Sequence, residues 1–309
     1  MQKINKRVLE ALILSGAMDA LAANRATLMA QLPECVRAAE QQARDSQAGQ
    51  HDMFGASSST PAPGPALATV PEWPVERRLA GERDTLGHYL SGHPTESWRP
   101  LLEQLANCPI GDIGQRFQVP KARKAEEANR YQRPMETPWI VAGLMVEVRK
   151  RGDSMAFVQL EDWSGRVEIG FFRETFVEFG PLLTRDAILV VEGGLAYDEF
   201  AGSFRLRARR VFTLNDACER HARLLRINLN GVDAEFVATL RNALNGYRGG
   251  QTALRLSYAN DSGRAELELG AEWKVRATAE LKRSLDALPG VRGTELFLSR
   301  PSPGDERGG

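Results

Sequence analysis

The chain has 309 residues, 42% of them hydrophobic and 26% charged, with 40 basic and 40 acidic side chains. That balance excludes a histone-like or ribosomal-type basic coat, which needs a large positive excess to release counterions from phosphate, and it excludes an acidic solvating chain. The length points to two or three domains.

The neutrality is even along the chain. Residues 1–137 hold 16 basic and 16 acidic side chains, residues 138–214 hold 10 and 11, and residues 215–309 hold 14 and 13. Any nucleic-acid contact must therefore come from local clusters. Arginine supplies 33 of the 40 basic residues. It suits bidentate phosphate contacts and stacking on bases, and it follows genomic base composition equally well. Cys35, Cys108 and Cys218 stand far apart with no CxxC pair, so neither a zinc ribbon nor a disulfide framework is expected. Met1 is followed by a charged amphipathic stretch rather than a secretory signal. The longest apolar run, Trp139 to Val146, is far below a membrane span. A cytoplasmic protein without membrane contact is the expectation.

Residues 3–45 read as helical. Val8, Leu9, Leu12 and Ile13 form a stripe with helical spacing, Ser15 and Gly16 punctuate it, and Asp19 can cap the next turn. A second helix runs from about Asn24 to about Ala48, with Pro33 able to start a new helix within it. Gly55 to Pro71, GASSSTPAPGPALATVP, reads as a flexible linker. Glu76 to Leu90 reads as a helix with Leu79 and Leu86 on its apolar side, stopping at Ser91-Gly92-His93-Pro94. Residues 116–135 are polar and read as a loop.

From Trp139 the period changes to two. Trp139–Val148, Ala156–Glu161, Arg166–Phe172, Ile188–Tyr197 and Ser203–Phe212 read as strands, with turns at Asp162–Gly165 and Glu199–Gly202. Glu174 to Leu183 reads as a short helix between the third and fourth strands. Three strands, a helix, then two strands is the order of an OB-fold barrel. The last part reads as a small α+β unit. It has helices at Asp216–Leu224, Asp233–Leu244 and Thr278–Leu288, and strands at Leu225–Leu229, Ala253–Tyr258, Ala265–Leu269 and Glu295–Leu298. Asp233 is the expected N-cap, with Val237, Leu240 and Leu244 inward. Residues 301–309 are a polar tail. The fold class is multidomain α+β.

Barrels of this kind bind single strands by aromatic stacking and a basic groove. Arg205, Arg207 and Arg209 alternate along the fifth strand, opposite Phe204, Leu206 and Ala208. Arg149, Lys150 and Arg151 cluster at the first hairpin. Arg166 and Arg173 flank the third strand, and one of Phe171 and Phe172 should point in and the other out. The competing reading is a solvated face. Gln50-His51-Asp52-Met53-Phe54 borders the linker. A Gln followed by two large apolar residues is how short tethered peptides dock: the amide enters a polar pocket and Met53 and Phe54 an apolar one. No HExxH, GxxxxGK[ST] or GxSxG occurs, and no catalytic or metal-ligating constellation is expected from His51, His88, His93 or His221.

Several stretches resemble the C-terminal part of the alpha subunit of bacterial DNA polymerase III. They are NKRVLEALILSGAMDAL (5–21), GQHDMFG (49–55), LAGERDTLGHYLSGHP (79–94), LEDWSGRVEIGFF (160–172), GGLAYDEFAGSFRLRAR (193–209) and LELGAEWKVRAT (267–278). The resemblance implies five segments. Residues 1–48 would end a helix-hairpin-helix region holding duplex DNA. Residues 49–78 would carry the sliding-clamp-binding motif, Gln50, Met53 and Phe54, and a linker. Residues 79–137 would be a helical connector and polar loop. Residues 138–214 would be the OB domain contacting single-stranded template through Arg149, Lys150, Arg151, Arg166, Phe172, Arg173, Arg205 and Arg207. Residues 215–309 would bind the tau subunit of the clamp loader. The polymerase core has no counterpart here, so this chain alone is expected to be a non-catalytic piece of a longer protein. It would need no cofactor, and the magnesium of nucleotidyl transfer would belong to that core. An RNA- or tRNA-binding OB module and an error-prone paralogue of the same polymerase are the rival readings.

Overall fold

The computed structural model describes residues 5–47, 69–117, 136–198, 202–260 and 263–299. The chain forms two compact units, Met1–Pro94 and Thr95–Gly309.

The first unit contains α1 (Lys6–Leu14), α2 (Arg25–Gln47) and α3 (Val75–Leu86). Asn5 caps α1, its side chain accepting from the Arg7 amide at 3.1 Å. Gly16, at φ 83°, turns the chain back, a conformation that suits glycine. Of the expected stripe on α1, Ile13 is buried but Val8 and Leu12 are exposed. Val8–Leu12 and Leu9–Ile13 are neighbouring ridges, and only the second is turned inward. Pro33 lies inside α2 without starting a new helix. Residues 70–73 strap over the start of α2: Glu72 accepts from the amides of Arg25 and Ala26, both at 3.1 Å, and Val70 exchanges bonds with Asn24 and Thr27.

Helix α3 ends at Leu86, four residues earlier than the sequence suggests. Gly87 takes φ 79° there and its N–H reaches the Arg83 carbonyl at 2.8 Å. Leu86, its last residue, is exposed, whereas Leu79 is buried. Glu82 explains the early stop. Its fully buried carboxylate accepts from the amides of Leu90 and Ser91 at 2.7 and 2.9 Å and from Arg25 Nη1 at 2.9 Å. Residues 90 and 91 are thus folded back onto the helix instead of continuing it. Arg25 also holds Asp19, which makes an ion pair rather than a helix cap.

The second unit starts with α4 (Arg99–Leu105) and α5 (Ile113–Arg116). Strands β1 (Thr137–Lys150), β2 (Met155–Glu161), β3 (Arg166–Phe172), β4 (Ile188–Asp198) and β5 (Ser203–Thr213) then close a barrel in the order β1-β2-β3-β5-β4. Helix α6 (Glu174–Phe179) joins β3 to β4. Neighbours run antiparallel except β3 and β5, which pair in parallel over Glu168–Gly170 and Arg205–Arg207. This is the OB-fold order. Val141, Met145, Val158, Leu160, Ile169, Phe171, Leu189, Val191, Leu195 and Leu206 fill the interior. The turn between β2 and β3 is built on buried Asp162. It accepts from the amides of Ser164 and Gly165 and, through its other oxygen, from Ile110 at 2.8 Å.

Beyond the barrel come α7 (Leu214–His221), β6 (Ala222–Leu229), α8 (Ala234–Asn245), β7 (Arg248–Asn260), β8 (Gly263–Glu268), α9 (Ala279–Asp286) and β9 (Val291–Leu298). The strands form a sheet in the order β8-β7-β6-β9. Helix α7 ends at His221 rather than Leu224, because from Ala222 the backbone pairs with β9 and then β7. Asp233 caps α8 as expected, accepting from Phe236 N at 2.9 Å. The inward ridge is Phe236, Leu240 and Leu244, and Val237, one residue round the helix, is 62% exposed.

One hydrophobic cluster runs through Leu101, Leu102 and Leu105 of α4, Ile140, Ala142 and Val190 on the barrel wall, and the helices and sheet of residues 214–298. The Gln104 amide finishes the β9 edge like an extra strand. It donates to the Leu296 carbonyl at 3.1 Å and accepts from Leu298 N at 2.9 Å. Among the described residues no helix is long and apolar enough to cross a membrane.

Candidate nucleic-acid interface

Strand alternation sorts the barrel residues into two sets. Ala156, Val158, Leu160, Val167, Ile169 and Phe171 point in. Phe157, Glu168, Gly170, Phe172, Arg205 and Arg207 point out. Phe171 is thus core and Phe172 is the outward ring.

Cross-strand register builds one outer row from Phe157, Gly170, Arg207 and Gly194. The glycines leave a low floor. A Cβ on Gly170 would sit 2.7 Å from the Phe172 ring, so glycine lets that ring lie across the strand. Phe157 and Phe172 meet edge to face at 6.0 Å and 89°. The Arg207 guanidinium lies 5.6 Å from the Phe172 centroid, and that of Arg151 lies 5.9 Å from Phe157. The result is an open groove of about 870 Å³ over β2–β5, with a small-residue floor and an aromatic wall.

Phe172, Arg173, Arg205 and Arg207 line this groove. Arg149 and Arg151 line an adjoining hollow of about 300 Å³ with Phe157 and Arg205. Arg166 lines another of about 470 Å³ beside Phe204. Lys150, the exposed last residue of β1, lines none of these three hollows. Arg173 takes φ 43°, an uncommon angle for a side-chain-bearing residue, and its N–H bonds the Ser154 carbonyl at 2.6 Å. Gln50, Met53 and Phe54 lie outside the described residues.

Sequence reasoning missed Phe157 and the carboxylates. Glu168 bridges Arg205 Nε at 2.9 Å and Arg149 Nη2 at 3.1 Å, and Asp198 meets Arg205 Nη1 at 2.6 Å. Glu136 lies 3.7 Å from Arg207 and 3.3 Å from Arg209, and Glu161 pairs with Arg166 at 2.7 Å. The main groove is lined by Arg173, Arg205 and Arg207 against Glu136, Glu168 and Glu174. Its formal charge is zero. Stacking area and ready hydrogen-bonding groups, rather than a positive field, are what it offers a ligand. The alternation in β2 was enough to turn Phe157 outward, and the two hairpin turns were enough to set Glu161 near Arg166 and Asp198 near Arg205; nothing local in the sequence signalled Glu136 or Glu168.

Residues 139–214 match a family of OB-fold nucleic acid binding domains, and residues 239–290 match the C-terminal domain of DNA polymerase III subunit alpha. The curated DNA polymerase III subunit alpha of Xylella fastidiosa strain 9a5c is 41% identical over 307 residues, covering 97% of this chain and 25% of that protein. Its counterpart in Vibrio cholerae El Tor Inaba N16961 is 35% identical over 303 residues, and that of Escherichia coli K12 34% over 298, each covering 96% of this chain and 25% of the relative. Along nearly its whole length the chain is similar to these alpha subunits, and residues 239–290 match their C-terminal domain. It spans about a quarter of the length of the curated relatives it matches. The subunit alpha match spans both parts of the second unit, the barrel and the α+β segment after it.

Proposed function

We propose that this part of the subunit alpha family tethers and positions a polymerase in DNA replication and does no chemistry itself. The barrel holds single-stranded template in the β2–β5 groove. Bases stack on Phe172 and Phe157, and Arg149, Lys150, Arg151, Arg166, Arg173, Arg205 and Arg207 reach the backbone around them. Residues 215–309 join the tau subunit of the clamp loader, and Gln50, Met53 and Phe54 join the sliding clamp. Each contact is weak alone. Linked on one chain, they raise the effective concentration of the polymerase at the primer end. Nucleotidyl transfer and its magnesium belong to the part of the longer relatives that this chain does not match.

The observation that carries this reading is the glycine-floored groove with paired phenylalanines, one of them under an arginine, inside a domain matched to nucleic-acid binders. Removing one stacking ring costs about 1–3 kcal/mol in single-strand binding. Phe172→Ala is therefore expected to raise the Kd for a labelled oligothymidylate by roughly 5- to 150-fold in fluorescence anisotropy. An unchanged Kd would refute the groove as the stacking site. Tighter binding of RNA than of DNA of the same sequence would favour an RNA-handling role instead.

A further inference from the structure

Arg205 and Arg207 of the barrel groove are tied to carboxylates, but a cluster of cations in the last domain is not. Arg241 near the end of α8 and Arg248 at the start of β7 lie against Trp273, and Lys274 and Arg276 follow it in the segment before α9. Gly250 has no Cβ, which lets β7 close on the backbone of Val275. The Gly249 amide reaches the Lys274 carbonyl at 3.1 Å, and the Arg276 amide reaches that of Tyr247 at 2.7 Å. These bonds bring the start of β7, with Arg248, beside the segment of Lys274 and Arg276. The guanidinium of Arg248 lies 4.1 Å from the Trp273 ring centroid and that of Arg241 lies 5.8 Å from it.

The ion pairs of this domain join other residues: Arg226 to Glu295, Arg255 to Glu266 and Glu268, and Lys282 to Asp286. None of Arg241, Arg248, Lys274 and Arg276 forms an ion pair among the described residues. The nearby Glu272 is folded over Gly270. Arg276 also donates to the Gly246 carbonyl at the end of α8, at 3.0 Å. The helix C-terminus offsets about half a charge, so the patch stays positive.

We infer that the Trp273 patch is a second nucleic-acid contact, binding the phosphodiester backbone, and that it carries more of the salt-sensitive affinity than the barrel does. Trp273 packs into the domain core and holds Arg241 and Arg248 against its ring. Their guanidinium forks are thus partly immobilised before a ligand arrives, which lowers the entropy cost of a bidentate phosphate contact. A protein segment would need an apolar pocket for its anchors. The one large apolar ring at the centre of this patch is already occupied by arginine. What remains is fixed positive charge, which suits phosphate.

The test uses the full chain and a fluorescent oligothymidylate of about 20 nucleotides, long enough to span a barrel and its surroundings. Affinity is measured across a salt series for the unaltered chain, for Arg241→Ala with Arg248→Ala, and for Phe172→Ala. Both arginines are exposed and cap nothing, and matching circular dichroism and melting curves show that the fold is kept. Losing two phosphate contacts is expected to weaken binding about tenfold at low salt and to reduce the slope of log K against log salt by about 1.4. Phe172→Ala is expected to weaken binding with little change of slope. An unchanged slope and affinity in the double arginine variant overturns the patch, whatever Phe172→Ala does. If only Phe172→Ala is silent, the barrel reading fails and the patch stands. If the double variant loses binding of poly-glutamate but not of the oligonucleotide, the surface docks an acidic protein, and the inference is wrong.

Discussion

Glu82→Gln should loosen the helical unit through one buried carboxylate. The Glu82 side chain is fully buried and that of its partner Arg25 is 5% exposed. Burial by itself pushes the Glu82 pKa up. The Ser91 amide and hydroxyl, the Leu90 amide and the Arg25 guanidinium together outweigh it and bring the pKa from 4.5 down to about 2. That shift corresponds to about 3 kcal/mol favouring the folded, ionised form. Glutamine cannot replace the carboxylate. Turning its oxygen toward Arg25 points its N–H groups at the amides of Leu90 and Ser91, and turning it the other way points them at the guanidinium. Breaking a buried pair costs about 3–5 kcal/mol, and the remaining contact of Arg25 with Asp19 puts the expectation near the lower figure. Hydrogen exchange reports on this unit separately from the barrel. Amide protection across α1, α2 and α3 should fall roughly 100-fold near neutral pH. Because the folded pKa is depressed, the stabilisation is fully present above about pH 4.5 and disappears as the pH falls toward 2. The gap between the two proteins should close over that range. A change in protection smaller than about threefold at neutral pH would refute the network as a stabilising element.

Glu168→Gln should tighten single-strand binding. A phosphate about 6 Å from that carboxylate is repelled by about 0.7 kcal/mol in a water-like dielectric, so about a threefold gain is expected at low salt. Weaker or unchanged binding would mean that Glu168 serves to aim Arg149 and Arg205 or stands away from the strand. Changing Gln50, Met53 and Phe54 together to alanine should abolish capture by purified sliding clamp, and capture that survives removes that assignment. Primer extension by this chain alone should yield no product, and detectable synthesis would overturn the non-catalytic reading.

Much of the barrel was legible because its signals are local. Alternation along β3 requires that one of Phe171 and Phe172 face inward, and period-two runs separated by turn residues set the strand order. The groove's charge was not legible. Glu168 meets Arg205 only because β3 and β5 run side by side, and Glu136 meets Arg207 only because β1 closes the barrel against β4. No short window of sequence contains either pair. Helix ends failed for a related reason. Nothing local says that Glu82 will draw residues 90 and 91 back, or that β7 and β9 will take the backbone from Ala222 onward. Val237 fits a helical stripe as well as Phe236 does, and only the packing of α8 chooses between adjacent ridges.

The cluster that joins Leu101, Leu102 and Leu105 to Ile140, Ala142, Val190 and the final sheet has a consequence for mapping by deletion. A fragment stopping after β5 would bare apolar side chains on the barrel wall, and one starting at α7 would lose the helix that plugs its own sheet edge through Gln104. Either piece would be sticky and loosely folded. Loss of binding in such a fragment would report a wound in the scaffold, so point substitutions, not truncations, are the instrument for locating the partners of this chain.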